Sequence, residues 1–303
     1  MKSCSLCNFR CGIDRSVQTG RCGIDDKVYI SHYGLHRGEE PFLTGGSGSG
    51  TIFFAGCTLR CRFCQNYQIS RWRSADGTDG VEIADTDRLV EIFRELESMG
   101  ASNINFVSPT PYVYRIIDAV LQVKSEGFKL PFVYNTHGYD AIETVDMLNG
   151  IIDIYLPDMK YGDDVTGKKF SGAPDLYTAG KGCIKKMYQQ AGLLQINSEG
   201  AAVKGVAVRH LVIPGHIESS LQVLDFLESV DRRIHISLMS QYHPCEGNTD
   251  QEYPELNRTL RADEYERVVD YARNLGFKNL LIQEMESHIS YLPDFGRDEV
   301  FGT

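Results

Sequence analysis

From Thr51 onward, short runs of β-branched and apolar residues alternate with amphipathic helical patterns. The pattern over 86–99, for example, repeats apolar residues at helical spacing and ends at Gly100. This alternation predicts an α/β fold, with a parallel sheet and helices on its outer surface. The predicted strands are 51–54, 103–107, 131–134, 151–156, 205–213, 234–239 and 280–282, and the predicted helices are 86–99, 116–123, 141–148, 176–190, 221–230 and 263–275.

About six βα units follow from this pattern, which is too few for a closed eight-unit barrel. Because crossovers between parallel strands are right-handed, the chain curls, and we expect an open, partial (β/α)6 parallel barrel. Functional side chains are expected at the carboxyl ends of its strands. The predicted organisation is a cysteine-rich segment at 1–45, the barrel at 46–285 and a C-terminal tail at 286–303.

The composition argues against several classes of protein. The formal net charge of −10 over 303 residues disfavours nucleic acid as the main partner, because that interaction needs a basic surface. No apolar run approaches the roughly 20 residues of a membrane span, and the first residues do not resemble a signal peptide. The sequence therefore predicts a cytoplasmic protein that binds neither nucleic acid nor membrane.

The cysteines are unevenly distributed, since seven of the nine lie before residue 65. In a reducing compartment this indicates metal binding rather than disulfides. Cys57, Cys61 and Cys64 have C-x3-C-x2-C spacing after the first predicted strand, so one loop can bring three thiolates together. Because a 4Fe-4S cluster is usually ligated by four cysteines, three ligands would keep one iron open to a substrate or cosubstrate. A zinc site and a chance grouping are the alternatives.

The triplet resembles the motif of the radical S-adenosylmethionine (SAM) superfamily. Over nearly the whole chain, the sequence is similar to the PflX branch, which is related to pyruvate formate-lyase activating enzymes. The resemblance implies an anaerobic, oxidoreductase-type enzyme in which SAM binds the open iron and its reductive cleavage yields a 5'-deoxyadenosyl radical that abstracts hydrogen. The matching blocks are FFAGCTLRCRFCQNYQIS (53–70), YNTHGY (134–139), IYLPDMKY (154–161), VRHLVIPG (208–215) and LMSQYHP (238–244).

The resemblance also implies which residues contact SAM. Phe63 occupies the aromatic position before the third cysteine, where family members contact adenine. Asn135, Lys160, Arg209 and His243 match positions that relatives use for the amino acid part or the ribose of SAM. A long cation suits a carboxylate, and an amide or imidazole suits hydroxyl groups. The alternative for each of the four polar residues is an ordinary position at the rim of the barrel.

One block departs from the activating-enzyme pattern. After the second predicted strand, relatives carry Gly-Gly-Glu, whose backbone holds the SAM amino group, whereas this chain has Ser108-Pro109-Thr110-Pro111. The hydroxyl and carbonyl groups of Ser108 and Thr110 can accept the same hydrogen bonds, and the prolines would fix an extended backbone. The departure argues against the substrate class of the activating enzymes more than it argues against SAM binding.

A second set of cysteines precedes the barrel. Cys4, Cys7, Cys11 and Cys22 form C-x2-C-x3-C-x10-C, which supplies enough ligands for a closed four-coordinate site. Spacing alone does not distinguish three possibilities for this site. They are structural zinc, an auxiliary iron-sulfur cluster that relays electrons, and no bound metal.

The two remaining cysteines stand alone in the sequence. Cys183 lies in a helical run and is interpreted as an ordinary core or surface thiol. Cys245 follows a predicted strand end, where a thiol could meet a substrate radical, and it is the one candidate catalytic side chain; an inert thiol is the alternative.

Three classes of function are compatible with these residues. The first is a radical SAM enzyme that abstracts hydrogen from a protein or peptide, as glycyl-radical activases do. The second is a radical SAM enzyme for a small molecule or another macromolecule, and the third is a non-catalytic iron-sulfur regulatory or scaffold protein. For an enzyme, the resemblance implies a reductant such as flavodoxin or ferredoxin as partner.

Overall fold

Ten strands form a single sheet in the computed structural model, which describes residues 2–73, 80–244, 251–285, 287, 293–296 and 300. Along the sheet the order is β10-β9-β8-β6-β5-β4-β2-β1-β3, and β7 pairs with β8 outside this path. The strands are β1 Val28–His36, β2 Ser49–Phe54, β3 Glu82–Ala84, β4 Ile104–Val107, β5 Phe132–Thr136, β6 Ile154–Pro157, β7 Gln195–Ile196, β8 Ala202–Leu211, β9 His235–Met239 and β10 Asn279–Ile282.

Helices alternate with most of the strands along the chain, as the sequence pattern predicts. They are α1 Pro41–Thr44, α2 Tyr67–Ser70, α3 Thr86–Ser98, α4 Val113–Ser125, α5 Ile142–Met147, α6 Asp164–Ser171, α7 Leu176–Ala191, α8 Ile217–Val230 and α9 Ala262–Asn274. Strands β2, β4, β5, β6, β8, β9 and β10 pair in parallel. The sheet is not closed, so the predicted partial α/β barrel is confirmed.

Buried aromatic and aliphatic side chains hold the outer helices against the sheet. Phe93 of α3 lies with its ring centroid 5.4 Å from that of Phe132 on β5, and Phe132 stacks on Phe106 of β4 at 5.8 Å. All three side chains are fully buried. Such contacts fix the helix positions through the hydrophobic effect and through favourable edge and stacked ring geometries.

Six elements are not predicted by the sequence pattern: strands β1, β3 and β7 and helices α1, α2 and α6. Strands β1 and β3 extend the sheet antiparallel to β2 and β1, respectively. Strand β1 lies within the segment 1–45 that the sequence separates from the barrel; the predicted segment boundaries themselves stay a prediction. Helix α6 begins after Asp163, whose carboxylate accepts from the Thr166 backbone N–H at 2.7 Å, and ends at Gly172 with φ of +71°. This acidic cap and left-handed glycine are ordinary signals of helix ends.

The cysteine-rich segment packs on the barrel through backbone and side-chain hydrogen bonds. The Asn8 backbone N–H donates to the Tyr139 carbonyl at 3.1 Å, and the Thr144 hydroxyl donates to the Leu6 carbonyl at 2.9 Å. Arg15 is buried and donates to the carbonyl oxygens of Asp25 and Pro111. These bonds place the amino-terminal segment beside the segments that follow β4 and β5.

In the described part of the chain, every helix is too short or too polar to traverse a lipid bilayer.

Candidate active site

The three cysteines of the C-x3-C-x2-C loop line a cavity of about 440 Å³ at the carboxyl end of β2. The loop is fixed by backbone hydrogen bonds: Gly56 donates to Ile69 at 2.9 Å, and Arg60 donates to Ser171 at 3.0 Å. The first bond closes the loop on itself, and the second ties it to the end of α6. The loop therefore has a defined position at the carboxyl edge of the sheet, where a parallel barrel carries its functional residues.

The chemistry of these thiols fits an iron-sulfur cluster. Burial raises the pKa of Cys61 to about 11, although the charge of Lys160 acts in the opposite direction, and burial also raises the pKa of Cys57 well above its usual range. A bound metal ion reverses this preference for the protonated thiol, because the positive charge of the metal stabilises the coordinating thiolate. Within the described ranges, no three His, Cys, Asp or Glu side chains are arranged to hold a single metal ion.

Two serine hydroxyls contact the cysteine sulfurs. Ser171 Oγ lies 2.9 Å from Cys61 Sγ, and Ser70 Oγ lies 3.2 Å from Cys64 Sγ. The Tyr161 hydroxyl is 2.7 Å from Ser171 Oγ, so a short chain of hydroxyl groups ends at Cys61. Hydrogen bonds to ligand sulfurs tune the reduction potential of iron-sulfur clusters.

A buried ionic group faces the cysteines across the same cavity. Arg209 of β8 donates to Asp158 Oδ1 at 2.8 Å and to the Asn135 amide oxygen, and Lys160 donates to the second oxygen of Asp158. Burial raises the pKa of Asp158, but the charges of Arg209 and Lys160 outweigh it, so that the pKa falls to about 2. These four residues follow or end neighbouring parallel strands, which explains their convergence.

His137 also lines the cavity and is not among the residues predicted from the sequence. Its Nδ1 accepts the Tyr139 backbone N–H at 3.1 Å, so the proton of the neutral ring resides on Nε2, which lies 2.7 Å from the Thr58 hydroxyl. Burial lowers the pKa of His137, which keeps the ring neutral. The contact joins the loop after β5 to the cysteine loop after β2.

The Ser108-Pro109-Thr110-Pro111 block divides between the cavity and the core. Ser108 lines the cavity with φ of +57°, a left-handed conformation that is costly for a residue other than glycine. Thr110 is fully buried, and its hydroxyl donates to Asp140 Oδ1 at 2.8 Å. It is not among the residues that line the cavity. The expected extended backbone is also wrong, because a 3-10 turn covers Thr110–Tyr112.

The other predicted site residues lie in different environments. Phe63 is buried in the cavity wall, 5.3 Å from the Tyr242 ring centroid. His243 Nδ1 lies 2.7 Å from the Pro244 carbonyl oxygen, and the residue is not among those that line the cavity. Cys245 lies outside the described residues. Cys183 is fully buried and donates to the Asp140 carbonyl, in agreement with an ordinary core thiol.

The amino-terminal cysteines lie next to the cysteine loop. Cys4, Cys7 and Cys22 are buried, whereas Cys11 is exposed. A β-carbon at Gly20 would lie 3.3 Å from Cys11 Sγ and 3.6 Å from Cys22 Sγ, which places both sulfurs around one glycine. The structure therefore brings these thiols into one region, and whether they bind metal stays a prediction.

Sequence reasoning missed the partners of the predicted residues. Asp158 stands two positions before Lys160 in a block that carries the resemblance, and a carboxylate so close to a predicted cation was a usable signal. Ser171 gave no comparable signal, because its contact with Cys61 spans 110 positions.

Comparisons with known proteins agree with this geometry. Residues 51–178 match the model of the radical SAM superfamily. The uncharacterized protein MJ0674 of Methanocaldococcus jannaschii is 30% identical over 276 residues, which cover 89% of this chain and 74% of that protein.

Solved structures resemble this chain at low identity. Streptococcus suis SuiB, crystallised with the precursor peptide SuiA, has a TM-score of 0.50 and 14% identity over 78% of this chain, which spans only 49% of SuiB. A domain of a Bacteroides vulgatus pyruvate-formate lyase-activating enzyme has a TM-score of 0.45 and 15% identity, with coverage of 61% of this chain and 100% of the domain. At such identities the likeness to SuiB concerns the fold alone. The family model and the long alignment to the archaeal protein show that the chain belongs to the radical SAM superfamily.

Proposed function

We propose that this protein is a radical SAM enzyme that abstracts hydrogen from a protein or peptide substrate. Membership of the superfamily implies an enzyme that uses a 4Fe-4S cluster and SAM. When bound together, they supply a 5'-deoxyadenosyl radical by reductive cleavage of SAM. The observation that carries the proposal is the single cavity shared by the three loop cysteines and the Asn135, Asp158, Lys160 and Arg209 group.

The residues of the cavity have complementary tasks in this proposal. Cys57, Cys61 and Cys64 would hold the cluster. Lys160 stays protonated, because the Asp158 carboxylate outweighs the effect of burial and raises the pKa of the amine. Lys160 and Arg209, which both bind Asp158, are the proposed partners of the SAM carboxylate.

The aromatic side chains protect the site from water. Phe63, Tyr161 and Tyr242 are buried together beside the cysteine loop. A wall of this kind excludes solvent, which protects a reactive radical from side reactions.

Anaerobic turnover tests the first step. Full-length protein, reconstituted with iron and sulfide and reduced with dithionite, is expected to convert SAM into 5'-deoxyadenosine, measured by liquid chromatography and mass spectrometry. Cys61→Ala should abolish product, and Cys183→Ala, which alters a buried thiol outside the loop, should retain it. Equal product from wild type and Cys61→Ala would contradict the proposal and favour a non-catalytic iron-sulfur protein.

The substrate class needs a separate experiment. Glycyl-radical-activase-like chemistry is supported by the motif resemblance, and it predicts a glycyl signal in electron paramagnetic resonance when the reduced enzyme and SAM meet a protein encoded beside it. Turnover on small molecules without such a signal would favour the alternative, a radical SAM enzyme with a small or different macromolecular substrate.

The amino-terminal quartet is proposed as a second metal site, holding either zinc or iron-sulfur. Its support is the grouping of Cys4, Cys7, Cys11 and Cys22 beside the cysteine loop. Iron, zinc and acid-labile sulfide should be measured in the Cys57→Ala/Cys61→Ala/Cys64→Ala protein. Residual sulfide would establish an auxiliary iron-sulfur cluster. One equivalent of zinc would establish a structural zinc site. Absence of both sulfide and zinc would show that the quartet does not bind metal.

The electron donor is proposed to be a flavodoxin or ferredoxin, as in the enzymes that the sequence resembles. Replacing dithionite with a reduced flavodoxin or ferredoxin should sustain formation of 5'-deoxyadenosine. Absence of product with both proteins, while dithionite still supports turnover, would contradict this partner.

A further inference from the structure

Two adjacent glutamates, Glu39 and Glu40, reach the same cavity from the segment between β1 and α1. Neither belongs to the motifs that resemble the superfamily. Glu39 is nearly inaccessible to solvent, with 8% of its side chain exposed, and one carboxylate oxygen accepts from the Asn105 amide of β4 at 3.2 Å. The glutamates therefore form a buried acidic wall of the cavity, apart from the cysteine loop.

The cations of the cavity do not neutralise this wall. Arg209 Nη1 lies 3.7 Å from Glu39, which is beyond hydrogen-bond distance, whereas Arg209 donates to Asp158 at 2.8 Å. Lys160 is likewise engaged by Asp158. Arg209 and Lys160 thus face three carboxylates, those of Asp158, Glu39 and Glu40. When all three are ionised, one negative charge has no matching cation among the described side chains of this group. Burial without a matching cation is unfavourable for a carboxylate.

The neighbouring histidine does not supply the missing charge. His36 lines the cavity next to the glutamates. Burial, opposed by the charge of Glu40, lowers the pKa of His36 to about 4, so the ring is neutral at neutral pH. Burial also raises the pKa of both Glu39 and Glu40, and the charge of Arg209 opposes this rise without cancelling it.

Hydrogen-bond acceptors without donors lie at or behind this wall. In the part of the chain that the structure describes, Glu40 Oε2 and Asn105 Oδ1 are both buried without a hydrogen-bond partner. Asn105 is fully buried behind Glu39, to which its amide nitrogen donates, and it is not among the residues that line the cavity. Ser237 bonds to the Glu40 carboxylate, but Glu40 Oε2 has no donor, and the nearest cation, Arg209, is 3.7 Å from Glu39. A primary ammonium group carries three N–H donors and a positive charge, which satisfies both deficits.

We infer that Glu39 and Glu40 bind a primary ammonium group of the substrate, such as a lysine side chain or the amino group of a small amine. The assignment of this group to the substrate rests on the proposed function. The binding site itself does not, because it requires neither the cluster nor SAM.

Binding of n-butylammonium to the full-length protein tests the inference. By isothermal titration calorimetry at constant ionic strength, n-butylammonium is expected to bind at least about tenfold more tightly than n-butanol, which has the same chain without the charge. Glu40→Gln should weaken the binding of n-butylammonium by about tenfold or more. Glu199→Gln, on an exposed turn, should leave this affinity unchanged. Glu40→Gln should also raise the midpoint of thermal unfolding, because it removes a buried charge.

Several results would overturn the inference. These are equal affinity for n-butanol, no binding of n-butylammonium, unchanged binding in Glu40→Gln, or complete displacement by an equal concentration of sodium ions, which would indicate an inorganic cation site. If Glu40→Gln does not fold, Glu39→Gln takes its place. Amine binding without formation of 5'-deoxyadenosine would retain this site and reject the proposed function. Formation of 5'-deoxyadenosine without amine binding would reject the amine site alone.

Discussion

The backbone of Cys22 packs directly against Gly56, the residue that precedes the first cysteine of the loop. A β-carbon at Gly56 would lie 3.0 Å from the Cys22 carbonyl oxygen and 2.6 Å from Ile24 Cδ1. Gly56 also has φ of +73°, where other residues are strained. The amino-terminal cysteine segment and the loop after β2 therefore meet at a position that only glycine fits.

We predict that Gly56→Ala lowers the free energy of unfolding by about 2 kcal/mol, from backbone strain and overpacking together. The variant should also bind less iron after reconstitution, because the Cys57 backbone must shift. Gly80 is a matched control, since it has the same φ but no atom within 4 Å of the point where a β-carbon would lie. Urea denaturation should show a smaller loss for Gly80→Ala. Equal losses in the two variants would show that contact with Cys22 is unimportant.

A second prediction concerns the hydroxyl of Ser171, 2.9 Å from Cys61 Sγ. A hydrogen bond to a ligand thiolate stabilises the more negative, reduced cluster. Ser171→Ala should therefore make the reduction potential of the reconstituted cluster more negative, measured by a redox titration followed by electron paramagnetic resonance. Ser98→Ala removes a surface hydroxyl that donates to Glu95 on α3, and its potential should equal that of the wild type. An unchanged potential in Ser171→Ala would count against this contact.

Periodicity predicts those parts of the fold whose side chains separate cleanly into buried and exposed faces. Helix α3 is expected over 86–99 and spans Thr86–Ser98, because its apolar residues all lie on the face that packs on the sheet. Strand β1 escapes prediction because six of its nine residues are only half-buried, so no strict alternation marks it.

The contacts of the candidate site depend on distances that a linear pattern does not contain. Sequence reasoning places Thr110 in the SAM site, but its hydroxyl turns to Asp140, which lies 30 positions later on another strand end. Arg209 and Asp158 are 51 positions apart, and only the parallel pairing of their strands makes them partners. Strand order places such side chains together, and strand order follows from packing of the whole chain.

A third prediction tests the buried carboxylate of Asp140, which accepts the hydroxyls of Thr110, Tyr134 and Thr136. Asp140→Ala leaves three donors unsatisfied in a fully buried site. We expect a loss of about 3 kcal/mol or more in the free energy of unfolding, measured with urea. Asp225→Ala, which removes an exposed partner of a tyrosine hydroxyl, should cost far less. Similar losses would show that the Asp140 network contributes little.

A fourth prediction concerns pH and Glu264, at the start of α9 and remote from the cysteines. Its carboxylate accepts two hydrogen bonds from Arg258, each 2.7 Å, and the backbone N–H of Gly215 at 2.8 Å. The bonds from Arg258 outweigh burial and lower the pKa of Glu264 to about 2. A lowered pKa in the folded state stabilises the protein above the ordinary glutamate pKa, and this contribution disappears as the pH falls through the folded value.

Glu264→Gln should therefore reduce the free energy of unfolding by about 1 kcal/mol at neutral pH, a value discounted for solvent screening of this pair near the surface. The difference from the wild type should shrink as the pH falls from about 4.5 toward 2, because the wild-type carboxylate then takes up its proton. Urea midpoints of both proteins across this interval provide the measurement. A difference that stays constant with pH would mean that the glutamine loses packing or helix capping rather than charge, and the ionic contact with Arg258 would then contribute nothing to stability.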